Sequence, residues 1–134
     1  MKDRAFIDTN ILLYLYTQDE GHKKLNCEKM LFDYDWVISI QVINEFSNIM
    51  IRKLSADINE IKNIIEDIIK NFEICEISTE TVFKALDLKN KYKYSYYDSL
   101  ILSSAIENGC KVTFSEDMHD NQKVETTTII NPCK

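Results

Sequence analysis

Short apolar segments with strand character alternate with amphipathic helical segments along this chain, and no tight hairpin signal joins one strand to the next. Strands that are connected through helices run parallel, and a parallel sheet is covered on both faces. Because the chain has 134 residues, it can form one hydrophobic core but not two domains of ordinary size. The alternation therefore predicts one domain over residues 1–134, a three-layer α/β/α sandwich with a four- to five-stranded parallel sheet.

Hydrophobic periodicity places the individual elements of this domain. The segments predicted as strands are 5–7, 36–40, 72–77, 111–114 and 126–130, and those predicted as helices are 11–17, 22–32, 42–53, 57–72, 79–92 and 96–108. Residues 72–77 alternate apolar and acidic side chains, which is typical of a half-exposed edge strand. In the helix at 22–32, Leu25 is predicted to face the core. Gly21 is expected to end the preceding turn, and Gly109 to cap the last helix in a left-handed conformation.

Composition limits the class of protein. The chain has 22 Asp and Glu against 16 Lys and Arg, and the resulting net charge of -6 argues against binding nucleic acid through a broad basic face. Four cysteines without a CxxC pair and only two histidines argue against a zinc site and favour free thiols in a reducing compartment. The apolar run at 11–16 is too short to span a membrane, and polar residues 8–10 interrupt any signal peptide. We therefore expect a cytoplasmic protein.

Four acidic side chains occupy positions that a solvated helix face does not explain. Asp8 and Asp117 each follow a predicted strand, at the end where parallel sheets bind ligands. Asp98 begins an apolar stripe on its helix, and Glu45 borders the core-facing stripe of another. Taken singly, each could be structural, as a helix cap, a loop acid, an acid favoured by the helix dipole or a surface side chain. Together, all four can converge at one edge of the sheet.

Carboxylates brought together in this way favour a divalent cation. Like charges in a small space repel and raise one another's pKa values, and a hard cation such as Mg²⁺ or Mn²⁺, which prefers oxygen ligands, removes the repulsion. One or two such ions can activate water and stabilise a phosphodiester transition state. No P-loop, GxSxG, HExxH or dinucleotide-binding glycine motif offers a different chemistry. Four site carboxylates would also account for most of the charge of -6, leaving -2 for the rest of the chain.

Four motifs in order along the chain resemble those of the PIN-domain family, and within it the small VapC-type toxins of prokaryotic toxin–antitoxin pairs. They are FIDTNILL at 6–13, INEF at 43–46, YYDSLIL at 96–102 and FSEDM at 114–118. Each carries one of the four acids, and the resemblance extends over essentially the whole chain. It implies a metal-dependent endoribonuclease that leaves a 5′-phosphate and a 3′-hydroxyl.

The resemblance also implies roles for individual residues. Catalytic and metal-ligand roles fall on the four acids Asp8, Glu45, Asp98 and Asp117. Supporting roles through hydrogen bonds fall on Thr9, Asn10 and Ser115, and Glu116, which stands beside Asp117, is a second candidate for the fourth ligand. The implied cofactor is Mg²⁺ or Mn²⁺, one or two ions. The implied partners are an RNA substrate, a small antitoxin protein and a second copy of the chain in a homodimer, with no membrane.

Basic and aromatic residues alternate just before the third acid. Lys91 and Lys93 interleave with tyrosines that continue to Tyr96 and Tyr97. Because lysines can hold phosphates and tyrosines can stack on bases, we predict that Lys91 and Lys93 contribute to RNA binding. The alternative is a solvated helix end whose tyrosines belong to the core.

Two other functions remain as alternatives. A Mg²⁺-binding phosphoacceptor domain of the receiver type has paired acids after its first strand and a lysine after its fifth. This chain has only Asp8 at the first position, and Lys111 precedes a strand instead of following one. The second alternative is a PIN fold that serves only as a binding module with an idle nuclease site, and the presence of all four acids argues against it.

Overall fold

The computed structural model describes residues 1–17 and 21–134, and its strands form one six-stranded sheet. The strands are β1 Asp3–Ile7, β2 Tyr34–Ser39, β3 Glu73–Cys75, β4 Val112–Phe114, β5 Lys123–Val124 and β6 Thr127–Ile130. Their order across the sheet is β3-β2-β1-β4-β6-β5, with parallel pairing throughout except between β5 and β6. The predicted α/β fold is confirmed, and all five predicted strands are present. The sheet was predicted to be parallel with four to five strands, whereas it is mostly parallel and has six in the described residues, because β5 adds to its edge in the antiparallel direction.

Pairs of helices connect the parallel strands. In the described part of the chain the helices are α1 Thr9–Tyr16, α2 Gly21–Glu28, α3 Ile40–Arg52, α4 Ile58–Asn71, α5 Thr79–Tyr92 and α6 Tyr96–Glu107. Two helices follow each of the first three strands, so every crossover brings the chain back to start the next strand in the same direction. Within the described residues, none of these helices combines the length and the apolar character needed to cross a membrane.

The order of the strands reverses direction at β1. The chain first moves outward from β1 through β2 to β3, and then returns to the other side of β1 to form β4. In open α/β sheets, the carboxyl ends of the strands on either side of such a switch point border a crevice. In this protein those strands are β1 and β4, and their register pairs Ile7 with Phe114 at the end of each strand.

The central strands are buried on both faces, as a covered parallel sheet requires. Phe6, Ile7, Val37 and Ile38 have no exposed surface, and Phe114 is 2% exposed. These side chains hold β1, β2 and β4 in a fixed position inside the core. Side chains at the ends of the strands are therefore presented on a rigid base.

One expectation about local structure is wrong. Leu25 is 54% exposed and does not face the core, whereas Cys27 of the same helix is buried, and α2 ends at Glu28, earlier than predicted. Gly21 belongs to α2, and the turn that it was expected to end lies outside the described residues. Gly109 does follow the last helix with a φ of +68°, as predicted for a left-handed cap.

The sequence also gave no indication of the hairpin formed by β5 and β6. Its turn contains neither Gly nor Asn, and Glu125 adopts a φ of +52° there. The carboxylate of Glu125 accepts hydrogen bonds from the Lys84 side chain of α5, at 2.6 and 2.7 Å. The contact between Lys84 and Glu125 therefore holds the β5–β6 turn to α5, although this turn lacks the usual turn residues.

Candidate active site

Asp8 lies at the carboxyl end of β1 and at the start of α1. Its backbone N–H donates to the carbonyl oxygen of Phe114 at 3.1 Å, which continues the β1–β4 pairing by one residue. Its side-chain Oδ1 accepts from the backbone N–H of Ile11 at 3.2 Å and so caps α1. The structural role that the sequence suggested for Asp8 is therefore real, but the same side chain also borders an open cleft.

The four acids predicted to converge all line this cleft, which has a volume of about 340 Å³. Asp8 and Asp117 come from the ends of β1 and β4. Glu45 lies on α3, which follows β2, and Asp98 lies in the first turn of α6. Side chains that are far apart in the sequence thus meet at the carboxyl edge of the sheet. We refer to this cavity as the acid cleft.

Two polar residues that follow Asp8 each hold one of the other acids. The Thr9 hydroxyl donates to Glu45 Oε1 at 2.7 Å, and Asn10 Nδ2 donates to Asp117 Oδ2 at 2.9 Å. The start of α1 therefore fixes the carboxylates that come from α3 and from the loop after β4. These contacts give Thr9 and Asn10 a positioning role, because each bond restricts one acid to an orientation along the wall of the cleft.

Burial and like charges act together on Asp8. The pKa of this carboxyl is raised from 3.8 to about 7, chiefly because the group is removed from water and in smaller part because of the neighbouring charges of Asp117 and Asp98. Hydrogen bonds from the buried Ser115 hydroxyl and from the Ile11 backbone act in the opposite direction. Asp8 is therefore a carboxylate that needs either a proton or a cation near neutral pH.

Asp98 shows the same effect in a less buried position. Burial raises the pKa of its carboxyl above the usual value, and the charges of Asp117 and Glu45 add to this increase. Among the described residues, no Lys, Arg or His lines the acid cleft to offset these charges. The protein itself thus leaves the negative potential of the cleft uncompensated.

The oxygen ligands of the cleft suit a hard cation that keeps part of its water shell. Within the described residues, no group of three or more His, Cys, Asp or Glu side chains is arranged to hold a metal ion by itself. Mg²⁺ does not require such a cage, because it commonly binds through one or two carboxylates and retains several waters. The described residues that line the cleft supply repelling carboxylates and include no His or Cys, which fits Mg²⁺ or Mn²⁺ better than zinc.

Glu116 and Asp117 are adjacent in the sequence, but their side chains lie in different places. Glu116 forms an ion pair with Lys23 at 2.8 Å and accepts a hydrogen bond from the Tyr14 hydroxyl at 2.5 Å. It does not line the acid cleft, whereas Asp117 does. The geometry therefore favours Asp117 over Glu116 as the fourth acid of the site.

Lys91 and Lys93 are exposed at the carboxyl end of α5 and do not line the acid cleft. The Lys91 ammonium lies 5.3 Å from the centre of the Tyr92 ring, which itself is partly buried against the core. Lys93 caps α5 in a left-handed conformation with a φ of 67°. Asp98 follows in the first turn of α6, so the two lysines precede this acid in the sequence but do not line the cleft.

Sequence reasoning missed two polar residues that also line the cleft, Gln41 and Asn48. Gln41 stands four residues before Glu45 and Asn48 stands three residues after it, so the three side chains lie on one face of α3. The helix was predicted to begin at 42, which left Gln41 outside this face, whereas α3 begins at Ile40. An i−4 and i+3 search around Glu45 would have identified both.

The sequence matches the PIN domain family over residues 5–124. No curated protein shows significant sequence similarity to the chain.

Several solved structures are similar to this chain in fold. A toxin–antitoxin complex from Klebsiella pneumoniae aligns with a TM-score of 0.70 at 20% identity, over 96% of this chain and 97% of the other. VapBC2 from Rickettsia felis, bound to a DNA fragment from its promoter, aligns with a TM-score of 0.69 at 17% identity, over 94% and 96%. VapC20 from Mycobacterium tuberculosis, a sarcin-ricin loop cleaving toxin, aligns with a TM-score of 0.65 at 12% identity, over 81% and 86%. At these identities the alignments demonstrate a common fold.

The raised pKa of Asp8 predicts that Asp8→Asn stabilises the metal-free protein at alkaline pH. An unfolded Asp loses its proton near pH 3.8 and the folded one near pH 7, so the folded state binds more protons between these values and Asp8 costs stability as the pH rises. Asn carries no charge and retains an oxygen that can cap α1. Melting temperatures in EDTA should therefore favour Asp8→Asn above about pH 7, and the advantage should disappear towards about pH 4.

The matched control is Asp87→Asn, which changes an exposed acid of α5 outside the cleft. It should show no advantage that grows with pH. A difference in melting temperature between Asp8→Asn and the wild type that stays constant from acid to alkaline pH would contradict the burial argument.

Proposed function

This chain belongs to the PIN-domain family, and we propose that it is a Mg²⁺- or Mn²⁺-dependent endoribonuclease that acts as the toxin of a type II toxin–antitoxin pair. The observation that carries the proposal is the convergence of Asp8, Glu45, Asp98 and Asp117 on one cleft at the carboxyl edge of the sheet. The reaction is the hydrolysis of RNA phosphodiester bonds, leaving a 5′-phosphate and a 3′-hydroxyl.

The residues of the cleft have distinct tasks in this proposal. The four carboxylates would hold the cation, directly or through waters that it retains. When bound it would supply a Lewis acid that activates water and offsets charge on the phosphate. Thr9 and Asn10 keep Glu45 and Asp117 oriented, so these acids do not need to reorganise when substrate arrives. Ser115 donates to the buried Asp8 and opposes its protonation, which favours the ionised form that can bind a cation.

The charge of the cleft also sets how RNA is held. Since no basic side chain among the described residues lines the cleft, phosphate is not attracted there by the protein's own cations. Attraction would arise locally from a cation bound in the acid cleft, with a contribution from Lys91 and Lys93, which precede Asp98 in the sequence. We therefore expect the grip on RNA to be local and modest.

The structural neighbours support the toxin assignment. Those from Klebsiella pneumoniae and Rickettsia felis are toxin–antitoxin assemblies, and VapC20 is a toxin that cleaves the sarcin-ricin loop. By analogy we propose that this protein acts in the cytoplasm, forms a homodimer and is bound by a small antitoxin protein. A short reading frame next to its gene that encodes a DNA-binding protein would support this assignment over a housekeeping nuclease.

The first prediction of this function concerns RNA cleavage. Wild-type protein should cleave RNA with Mg²⁺ or Mn²⁺ and lose activity in EDTA. Asp8→Asn and Asp98→Asn should each lower the cleavage rate by about a hundredfold or more, because each removes a charge that the cation requires. Rates are to be measured on single-stranded and structured RNA.

Asp87→Asn is again the matched control and should cleave at the wild-type rate. Metal-independent cleavage, or full activity in both cleft variants, would refute the nuclease proposal. Complete inactivity of the wild type on every RNA tested would favour the idle binding module.

The second prediction concerns the cation in the absence of RNA. Mg²⁺ or Mn²⁺ at millimolar concentration should raise the melting temperature of the wild type, because binding to the folded state alone stabilises it by mass action. The shift should be smaller for Asp98→Asn and unchanged for Asp87→Asn. An identical shift in all three proteins would mean that the cation binds elsewhere.

The third prediction concerns Lys91 and Lys93. Replacing both by Ala should weaken RNA binding, and the dependence of log affinity on log salt should become shallower by about 1.4 if each lysine neutralises one phosphate of a single strand. The control is the double replacement of Lys62 and Lys70, two exposed lysines of α4. Equal salt dependence in both double variants would exclude a phosphate contact by Lys91 and Lys93.

A further inference from the structure

A second groove continues from the acid cleft along α3. It has a volume of about 400 Å³ and shares part of its lining with the acid cleft, namely Gln41, Glu45, Asn48 and Tyr97. Its other lining includes the amide of Asn44 and the apolar side chains of Ile77 and Leu100. We refer to this cavity as the side groove. Because its wall is common with the acid cleft, one ligand can occupy both at once.

The lining of the side groove selects for a neutral ligand. Among the described residues that line it, three are amides, one is aromatic and one, Glu45, is charged, and its Oε1 already accepts from Thr9. A phosphate would meet no Lys, Arg or His there among the described residues, and a cation would meet a single carboxylate. A planar group with apolar faces and a hydrogen-bonding edge fits this mixture, and that is the chemistry of a nucleobase.

Tyr97 provides an exposed aromatic face at a fixed position. Its side chain is 61% exposed although it lies beside Asp98 in the first turn of α6. The ring of Tyr96 packs edge-on against it, with 5.4 Å between ring centres and 67° between ring planes. Gln41 Nε2 donates to the Tyr97 carbonyl oxygen at 3.2 Å, which ties this turn of α6 to α3. An aromatic side chain supported in this way can serve as a platform on which a base stacks.

The amides supply hydrogen-bonding groups of both kinds. Gln41 is 7% exposed, and its Oε1 has no hydrogen-bond partner in the described part of the chain. The amide cannot be reversed, because its oxygen would then face the Tyr97 carbonyl oxygen. Asn44 and Asn48 are exposed one helical turn apart on the same face of α3, so their amides can both donate to and accept from a ligand edge.

From these features we infer that the side groove binds one unpaired nucleobase of the RNA, stacked on Tyr97 and read by the amides of Asn44 and Asn48. The phosphate next to this base then lies in the adjoining acid cleft. This inference rests on the proposed nuclease function and makes it more specific, because a base can enter the groove only from a single-stranded or looped segment. The substrate class is therefore RNA with an unpaired base beside the bond that is cut.

The test is a double-mutant cycle in which a base of the RNA, the Tyr97 ring or both are removed. Cleavage by wild type and by Tyr97→Ala is measured with Mg²⁺ on a short single-stranded RNA, and on versions that carry an abasic site at each position around the cleaved bond in turn. If one base stacks on Tyr97, removing either partner lowers kcat/KM by about tenfold, and at that position removing both lowers it no further.

Three variants complete the design. Tyr97→Phe keeps the ring and should lose less kcat/KM than Tyr97→Ala, and Phe83→Ala removes a 69% exposed ring of α5 outside the groove and should have no effect. The double replacement of Asn44 and Asn48 by Ala should change the preference among the four bases at the sensitive position. Melting temperatures of all variants verify that they are folded.

The outcomes separate the two proposals. If the losses of kcat/KM caused by Tyr97→Ala and by the abasic site are additive in free energy at every position, the side-groove assignment is overturned. The nuclease function is not affected by that result. A wild type that cleaves no RNA overturns both. If Tyr97→Ala cleaves normally but no longer retains the co-expressed product of the neighbouring reading frame, the groove binds protein and the assignment is likewise overturned.

Discussion

The parallel pairing of β1 with β4 is the contact on which the candidate site depends. These two strands lie on either side of the point where the strand order reverses, and the hydrogen bond from Asp8 N–H to the Phe114 carbonyl oxygen extends their pairing to the first acid. Asp8 and the loop that carries Asp117 therefore leave the sheet side by side. The other two acids come from helices that begin near this edge, α3 and α6. A shift in the β1–β4 register would separate the carboxylates and remove the cleft.

Residues at the start of α1 reduce the repulsion between the carboxylates that this arrangement brings together. Buried carboxylates repel one another, and burial together with the charges of neighbouring acids raises the pKa of Asp8 to about 7. Three consecutive residues reduce the cost, since Asp8 caps the helix while Thr9 and Asn10 donate to Glu45 and Asp117. What they leave is negative potential without a basic partner among the described residues of the cleft. This imbalance lowers the stability of the metal-free protein and is the physical reason for expecting a cation there.

The different charge of the two cavities explains how a protein with a net negative charge could bind RNA. The net charge of -6 is partly concentrated in the acid cleft, where a cation would offset it. The side groove next to it is nearly neutral and combines amides with an exposed tyrosine. In our proposal the charged part of a nucleotide is held through the cation and its base through stacking and amide contacts. Neither requires a broad basic surface, which the net charge of -6 argues against.

The sequence by itself determined the alternation of strands and helices, the bounds of α5 and the convergence of four acids at one sheet edge, because periodicity and strand ends are local signals. The tertiary structure decided what depends on distant partners. Lys23 and Tyr14 draw Glu116 away from the cleft while Asn10 holds Asp117 in it. The β5–β6 hairpin, the exposure of Leu25 and the groove beside Tyr97 were likewise not predictable. Adjacent residues in a sequence carry no record of which distant side chain each will meet, and the free energy of those contacts is defined only once the chain has folded.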